Sequence, residues 1–173
     1  MESYWEVVEP LFQQIDTGND GQSFLLSCKS VPRSSVLLFC AHMALSEIHN
    51  GGVLQLLWNE TGVLVPEAIE GYSAMGMPEL AALLKEATLP LETPYPRSRE
   101  DRWDALLAAS GLNNEEMEGI FKNADNFYLG FVAATSKLRF GELDHLFLEA
   151  AKTENGGFQV AATEYARNPF LVH

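Results

Sequence analysis

The chain has 173 residues, 47% of them hydrophobic, with 24 acidic against 11 basic side chains and a formal net charge of −13. That length and apolar content fit one folded domain and exclude disorder along the whole chain. The charge opposes direct binding to nucleic-acid phosphates and docking on an anionic membrane leaflet. No run of about 18 apolar residues is present, so no membrane-spanning helix is expected. The start, Met1-Glu2-Ser3-Tyr4-Trp5-Glu6, is acidic where a secretory signal needs basic residues. Two cysteines are too few for a disulfide framework, and Cys40, inside Val36-Leu37-Leu38-Phe39-Cys40, reads as a buried free thiol. The expected compartment is the cytoplasm.

The elements read as helices nearly throughout. Ser3 and Glu6 have capping-box spacing ahead of Tyr4, Trp5, Val8, Leu11, Phe12 and Ile15, with a break expected at Pro10. Thr17–Gly21 is a loop by composition, and a short helix passes through Phe24–Cys28. Pro32 opens a longer helix to about His49, stopped by Asn50-Gly51-Gly52. Val53–Trp58 forms a short buried helix that Asn59-Glu60-Thr61-Gly62 ends. Pro66 and Pro78 open helices over Glu67–Met75 and Glu79–Ala87, with Gly76 between them. Residues 89–97 carry three prolines and form the one Pro-rich loop. Ser98 and Asp101 cap a helix through Trp103, Leu106 and Leu107 that ends at Gly111. Asn113 or Asn114 caps the next, through Met117, Ile120 and Phe121. Two further helical patterns run around Phe127–Leu138 and Glu142–Lys152, and Asn155-Gly156-Gly157 is another stop. No sustained apolar–polar alternation marks a strand. The expected architecture is an all-α, compact, multi-helix single domain over 1–173, with short loops.

No catalytic motif with a specific spacing occurs: no GxSxG elbow, no GxxxxGK[ST] loop, no HExxH and no CxxC. Glu47 and His49 are half a metal site at most, and His49 reads better as a cation at a helix C-terminus. His42 reads as partly buried, and His145 as one member of a surface cluster with Glu142, Asp144 and Glu149. No catalytic residue, metal or cofactor is expected.

Charge distribution carries more information. Residues 34–84 contain no Lys or Arg, and residues 1–84 hold ten acidic against two basic side chains. Glu2, Glu6 and Glu9 have the spacing of one helix face, as do Glu67 and Glu70, and Glu115, Glu116 and Glu118 form a third cluster followed by Asp125, with Lys122 to offset it. These carboxylates read as unpaired. Glu100, Asp101 and Asp104 instead alternate with Arg97, Arg99 and Arg102, the pattern of a self-paired surface. Carboxylates three or four residues apart have Cβ atoms roughly 5–6 Å apart, so helices can lay out rows of negative charge resembling phosphates.

Between residues 47 and 88 the chain carries Glu47-Ile48-His49-Asn50-Gly51-Gly52-Val53-Leu54-Gln55, then Asn59, Gly62, Glu67-Ala68, Gly76 and Ala81-Ala82-Leu83-Leu84-Lys85-Glu86-Ala87. This stretch resembles a small bacterial domain family that pairs an Asn-Gly-Gly turn with a downstream Gln and Asn. One type in that family is an acidic, all-helical, dimeric DNA mimic that occupies the DNA-binding surface of a transcriptional regulator. The resemblance implies a non-enzymatic protein whose partner is a basic DNA-binding protein, met by Glu2, Glu6, Glu9, Glu67, Glu70, Glu115, Glu116 and Glu118. It assigns Asn50, Gly51, Gly52, Gln55, Asn59 and Gly62 to the structural motif. A homodimer is expected, because paired half-sites on a duplex lie roughly 34 Å apart. Two other readings use the same residues: an immunity or antitoxin-like inhibitor of a basic nuclease, and a metal-dependent enzyme built on Glu47 and His49.

Overall fold

Helix α3, Arg33–Trp58, passes through the centre of the molecule and has buried side chains from Ser35 to Ala41 and again at Ala44, Leu45, Ile48, Val53, Leu56 and Leu57. A helix apolar on every side must be covered on every side, and the other helices do so. In a computed structural model describing residues 3–18, 20–91 and 93–168, those residues form ten α-helices and no strand. Helices α4 (Val65–Ala74) and α9 (Phe140–Thr153) pack against α3, α5 (Pro78–Ala87) packs against α4 and α9, and one core runs from Tyr4 to Ala166. The α3–α4 crossing is close because Gly71 lies against Leu37; a Cβ there would come 2.5 Å from the Leu37 carbonyl oxygen. Beside it the buried Tyr72 hydroxyl donates to the Ala41 carbonyl at 2.8 Å.

The expected stop at Asn50-Gly51-Gly52 is a kink between two halves of α3, with non-helical backbone at Gly51 and Gly52. Gly52 takes φ +81°, and the second half restarts at Val53, whose amide donates to the Asp144 carboxylate of α9 at 2.6 Å. A side chain at Gly52 would be strained by that φ and would meet the same carboxylate at 2.5 Å. A second distant acid caps α5: Glu154 accepts from the amides of Glu79 (2.7 Å) and Leu80 (3.0 Å). These carboxylates satisfy amides that a helix start leaves without partners.

Several boundaries differ from the sequence expectation. The Ser3–Glu6 capping box does not form; the Ser3 hydroxyl accepts from Trp5 at 3.2 Å, and α1 covers only Trp5–Val8 before a 3₁₀ turn, Glu9–Gln13, containing Pro10. Helix α2, Gly21–Cys28, starts earlier than Phe24, because Asp20 accepts from the amides of Gln22 and Ser23. The expected helix over Phe127–Leu138 stops at Ala134 (α8, Phe127–Ala134) and continues as a 3₁₀ turn, Ser136–Leu138. Helix α10, Phe158–Arg167, was not anticipated. It follows directly from the Asn155-Gly156-Gly157 turn, whose three residues all have positive φ. Its buried positions Phe158, Ala161, Ala162, Tyr165 and Ala166 have helical spacing that the sequence displays.

Helices α6 (Arg99–Ala109) and α7 (Asn114–Asn123) have the caps the sequence indicates. Ser98 accepts from the Asp101 amide, and Asn113 and Glu116 form a reciprocal capping box. Helix α6 is fastened to the C-terminal end of α3 by two consecutive side chains. Arg102, fully buried, donates to the carbonyls of Leu57 (3.0 Å), Asn59 (2.7 Å) and Arg97 (2.7 Å). The Trp103 indole donates to Trp58 O at 3.0 Å. Gly62 makes room for this guanidinium, since a Cβ there would lie 2.7 Å from Arg102 Nε. Replacing Arg102 with Met would remove the guanidinium donors to the Leu57, Asn59 and Arg97 carbonyls, so a loss of about 3 kcal/mol is expected in urea unfolding.

Candidate functional site: the acidic side chains

The carboxylates divide into those the fold consumes and those it leaves outside. Glu67 is consumed. It is 5% exposed and accepts two bonds from Arg97 (2.8 and 2.9 Å), while Arg97 also donates to Val63 O at 2.7 Å. Arg33 lies 3.9 Å from Glu67 and pairs with Glu70. The expectation that Glu67 and Glu70 present a free acidic row is therefore wrong. Their cations come from α3 and from the loop before α6, far outside the three- and four-residue spacings of pairs along one helix.

Glu47 is also engaged: its carboxylate accepts from Gln55 (3.1 Å), Asn59 (2.9 Å) and Thr61 (2.8 Å). Gln55 from the second half of α3 and Asn59 just beyond its end thus serve one carboxylate, and Gly51 leaves room for the Gln55 side chain. Asn50 is exposed, and so is His49. Among the described residues no three His, Cys, Asp or Glu side chains gather in a metal-ligating group.

Outside, Glu6 and Glu9 are exposed but belong to different elements, α1 and the 3₁₀ turn, so the expected single face through Glu2, Glu6 and Glu9 is not one helix face. Glu2 itself lies outside the described residues, as do Asn19 in the loop before α2 and Glu92 in the Pro-rich loop. Glu115, Glu116 and Glu118 are all exposed on α7, which has no fully buried residue. Glu116 additionally accepts from the Asn113 amide at 2.9 Å.

The expectation of a self-paired α6 is also corrected. Glu100, Asp101 and Asp104 are exposed, yet Arg97 and Arg102 turn inward, to Glu67 and to the end of α3. Arg99 stays near the surface, 3.8 Å from Glu100, 3.4 Å from Glu60 and 4.7 Å from the Trp103 ring centroid. Arginine is favoured for such roles because its fork reaches several carbonyl or carboxylate oxygens at once. No local pattern in the sequence announces Arg97, Arg102, Asp144 or Glu154 as internal partners. Of the surface cluster expected around His145, Glu142 pairs with Arg139 and Glu149 with Lys152, whereas Asp144 faces α3.

A cleft of about 580 Å³ lies where the two Asn-Gly-Gly turns approach each other, with His42, Ser46, His49 and Asn50 on one side and Gly156 and Gly157 on the other. His42 is half-buried, bonded to the Tyr4 hydroxyl at 3.2 Å and flanked by Trp5 at 5.3 Å. Burial holds its pKa below the ordinary 6.5.

These features define an all-helical protein with cations drawn into its frame and carboxylates displayed on consecutive helices α6 and α7. No helix among the described residues is long and apolar enough to cross a membrane. A family model described as DMP19-like protein matches residues 29–168, and the chain belongs to that family. No curated protein and no solved structure matches it.

Two expectations follow from this geometry. Glu67→Gln breaks a buried, doubly bonded pair and is expected to cost about 3 kcal/mol, whereas Glu118→Gln on the surface should stay within about 0.5 kcal/mol; urea unfolding compares them. Because the folded state lowers the pKa of His42, the unfolded chain takes up that proton first as pH falls. The stability of the parent protein relative to His42→Gln is expected to be constant above about pH 7 and to decrease as pH drops through 6.5. Urea midpoints across a pH series measure the difference.

Proposed function

We propose that this protein is a non-enzymatic DNA mimic, which binds a basic DNA-binding regulator through exposed carboxylates and keeps that regulator from DNA. The inward turn of Arg97 and Arg102 is the observation that carries this reading. Those two guanidiniums are spent on a buried carboxylate and on helix-end carbonyls, so Glu100, Asp101 and Asp104 stand outside with Arg99 as the neighbouring cation. Helix α7 then adds Glu115, Glu116 and Glu118. The surface is more acidic along α6–α7 than the alternating sequence suggests. The resemblance of residues 47–88 to a family containing an acidic DNA mimic supports the same reading, as does the net charge of −13. Glu67 is withdrawn from the contact set, Glu70 shares its charge with Arg33, and α6 joins the set.

In this reading the protein acts as a homodimer in the cytoplasm, displaying its acidic surface twice to match a two-fold regulator. Attraction between opposite charges speeds association and makes it sensitive to salt. Immobilised protein is expected to retain a DNA-binding protein from the source cells, and duplex DNA is expected to release it. Joint replacement of Glu100, Asp101 and Asp104 by Gln and Asn should weaken retention and flatten its salt dependence. Retention unaffected by duplex DNA would overturn the mimic reading.

A further inference from the structure

Helix α7 and helix α8 enclose an open groove of about 830 Å³ whose apolar lining includes Gly119 and Ile120 from one side and Leu129 and Ala133 from the other. Glu116 and Asp125 stand on its rim, and Lys137 is the cation among the described lining residues. Two features of this hairpin go unexplained by the fold. Helix α8 has the sequence Phe-Tyr-Leu-Gly-Phe-Val-Ala-Ala without a charge, yet Leu129 remains 45% exposed. Gly119 sits in the middle of α7, where glycine weakens a helix, and a Cβ built there meets nothing within 4 Å. Neither a close approach nor a positive φ calls for glycine at that position; the effect of its missing side chain is to keep the groove open.

We propose that this groove receives a basic amphipathic helix of the partner protein, apolar face down on Ile120, Leu129 and Ala133 and cations toward Glu116 and Asp125. The inference rests on the reading above, that the partner is a basic protein. Leu129 and Ala133 are one helical turn apart, as are Glu116 and Ile120, so each wall carries a one-turn stripe suited to a helix presenting apolar side chains every three or four residues. Charge chooses the occupant. A second copy of this chain would bring another net −13 to an acidic rim, whereas a helix with Lys or Arg flanking its apolar stripe neutralises it. Hydrophobic contact in the groove would supply dwell time, and the carboxylates of α6 and α7 would supply the encounter rate.

The test uses the full chain and a synthetic four-turn peptide with Leu on one face and Lys on the others, beside a scrambled peptide of the same composition, read by fluorescence anisotropy. The patterned peptide is expected to bind more tightly than its scramble. Gly119→Leu fills the groove while replacing a weak helix former by a strong one; it is expected to weaken binding about tenfold with the unfolding midpoint unchanged or raised. Leu129→Ser should weaken binding similarly. Glu116→Gln with Asp125→Asn, which keeps the capping box, should weaken it and flatten its salt dependence. Equal binding of both peptides, or full affinity in Gly119→Leu, would overturn the groove, as would self-association of the parent chain that Gly119→Leu abolishes. A DNA-displaceable regulator indifferent to Gly119→Leu would remove the groove and leave the mimic reading standing. Patterned-peptide binding lost in Gly119→Leu, with no DNA-displaceable partner, would support the groove and remove that reading.

Discussion

The buried guanidinium of Arg102 at the C-terminal end of α3 fixes helix α6, the first element after the Pro-rich loop, against the central helix. Leu57, Trp58 and Asn59 end α3 with carbonyls to which Arg102 and Trp103 supply side-chain donors, beside the Gly62 amide that donates to Asn59 O at 3.0 Å. A cation at a helix C-terminus is also favoured by the dipole. Burial lowers the pKa of Arg102, the cost of placing a charge where its partners are neutral oxygens rather than a carboxylate. Gly62 and the neighbouring Tyr95, whose hydroxyl donates to Gly62 O at 2.8 Å, complete the pocket around it. Helix α6 can leave its acidic side outward because its arginine is anchored inward.

The same economy recurs across the molecule. Glu47, Glu67, Asp144 and Glu154 each bind groups of the protein itself: side-chain amides and a hydroxyl, a guanidinium, or the opening amides of a helical segment. Charge-assisted bonds of this kind are stronger than neutral ones; Glu67, Asp144 and Glu154 join segments distant in the chain, and Glu47 holds the end of its own helix. A chain so acidic therefore does two separate things with its carboxylates. Some fasten its helices, and others, those of α6 and α7 among them, stay exposed.

Those two helices differ in how they are held. Helix α6 is tied to the core by Arg102, Leu106 and the Trp103–Trp58 stack at 4.1 Å. Helix α7 buries nothing fully and leans on α8, with Phe121 stacked on Phe127 at 5.0 Å. An acidic helix over an uncharged one, with a groove between, combines long-range attraction with a short-range apolar contact. In the proposed reading, that combination distinguishes a docking surface from one that only keeps the chain in solution.

The all-α class, most helix starts and the buried Cys40 were legible because they depend on local rules: proline and Asn, Asp or Ser at helix starts, glycine at ends, and apolar spacing along each segment. The importance of Asn50-Gly51-Gly52, Gln55, Asn59 and Gly62 was legible as a pattern, while its cause was not, because Asp144, Glu47 and Arg102 lie eight to about ninety residues away. Helix α10 is legible too, in the spacing of Phe158, Ala161 and Tyr165, although the glycines before it read as a stop. What only the tertiary structure decided was the direction of each charged side chain. Glu67 and Glu118 look alike as members of acidic clusters, yet one is buried against Arg97 and the other faces water. Helical periodicity says which residues share a face; which face another helix covers, and with what charge, is settled by packing between segments far apart in the chain.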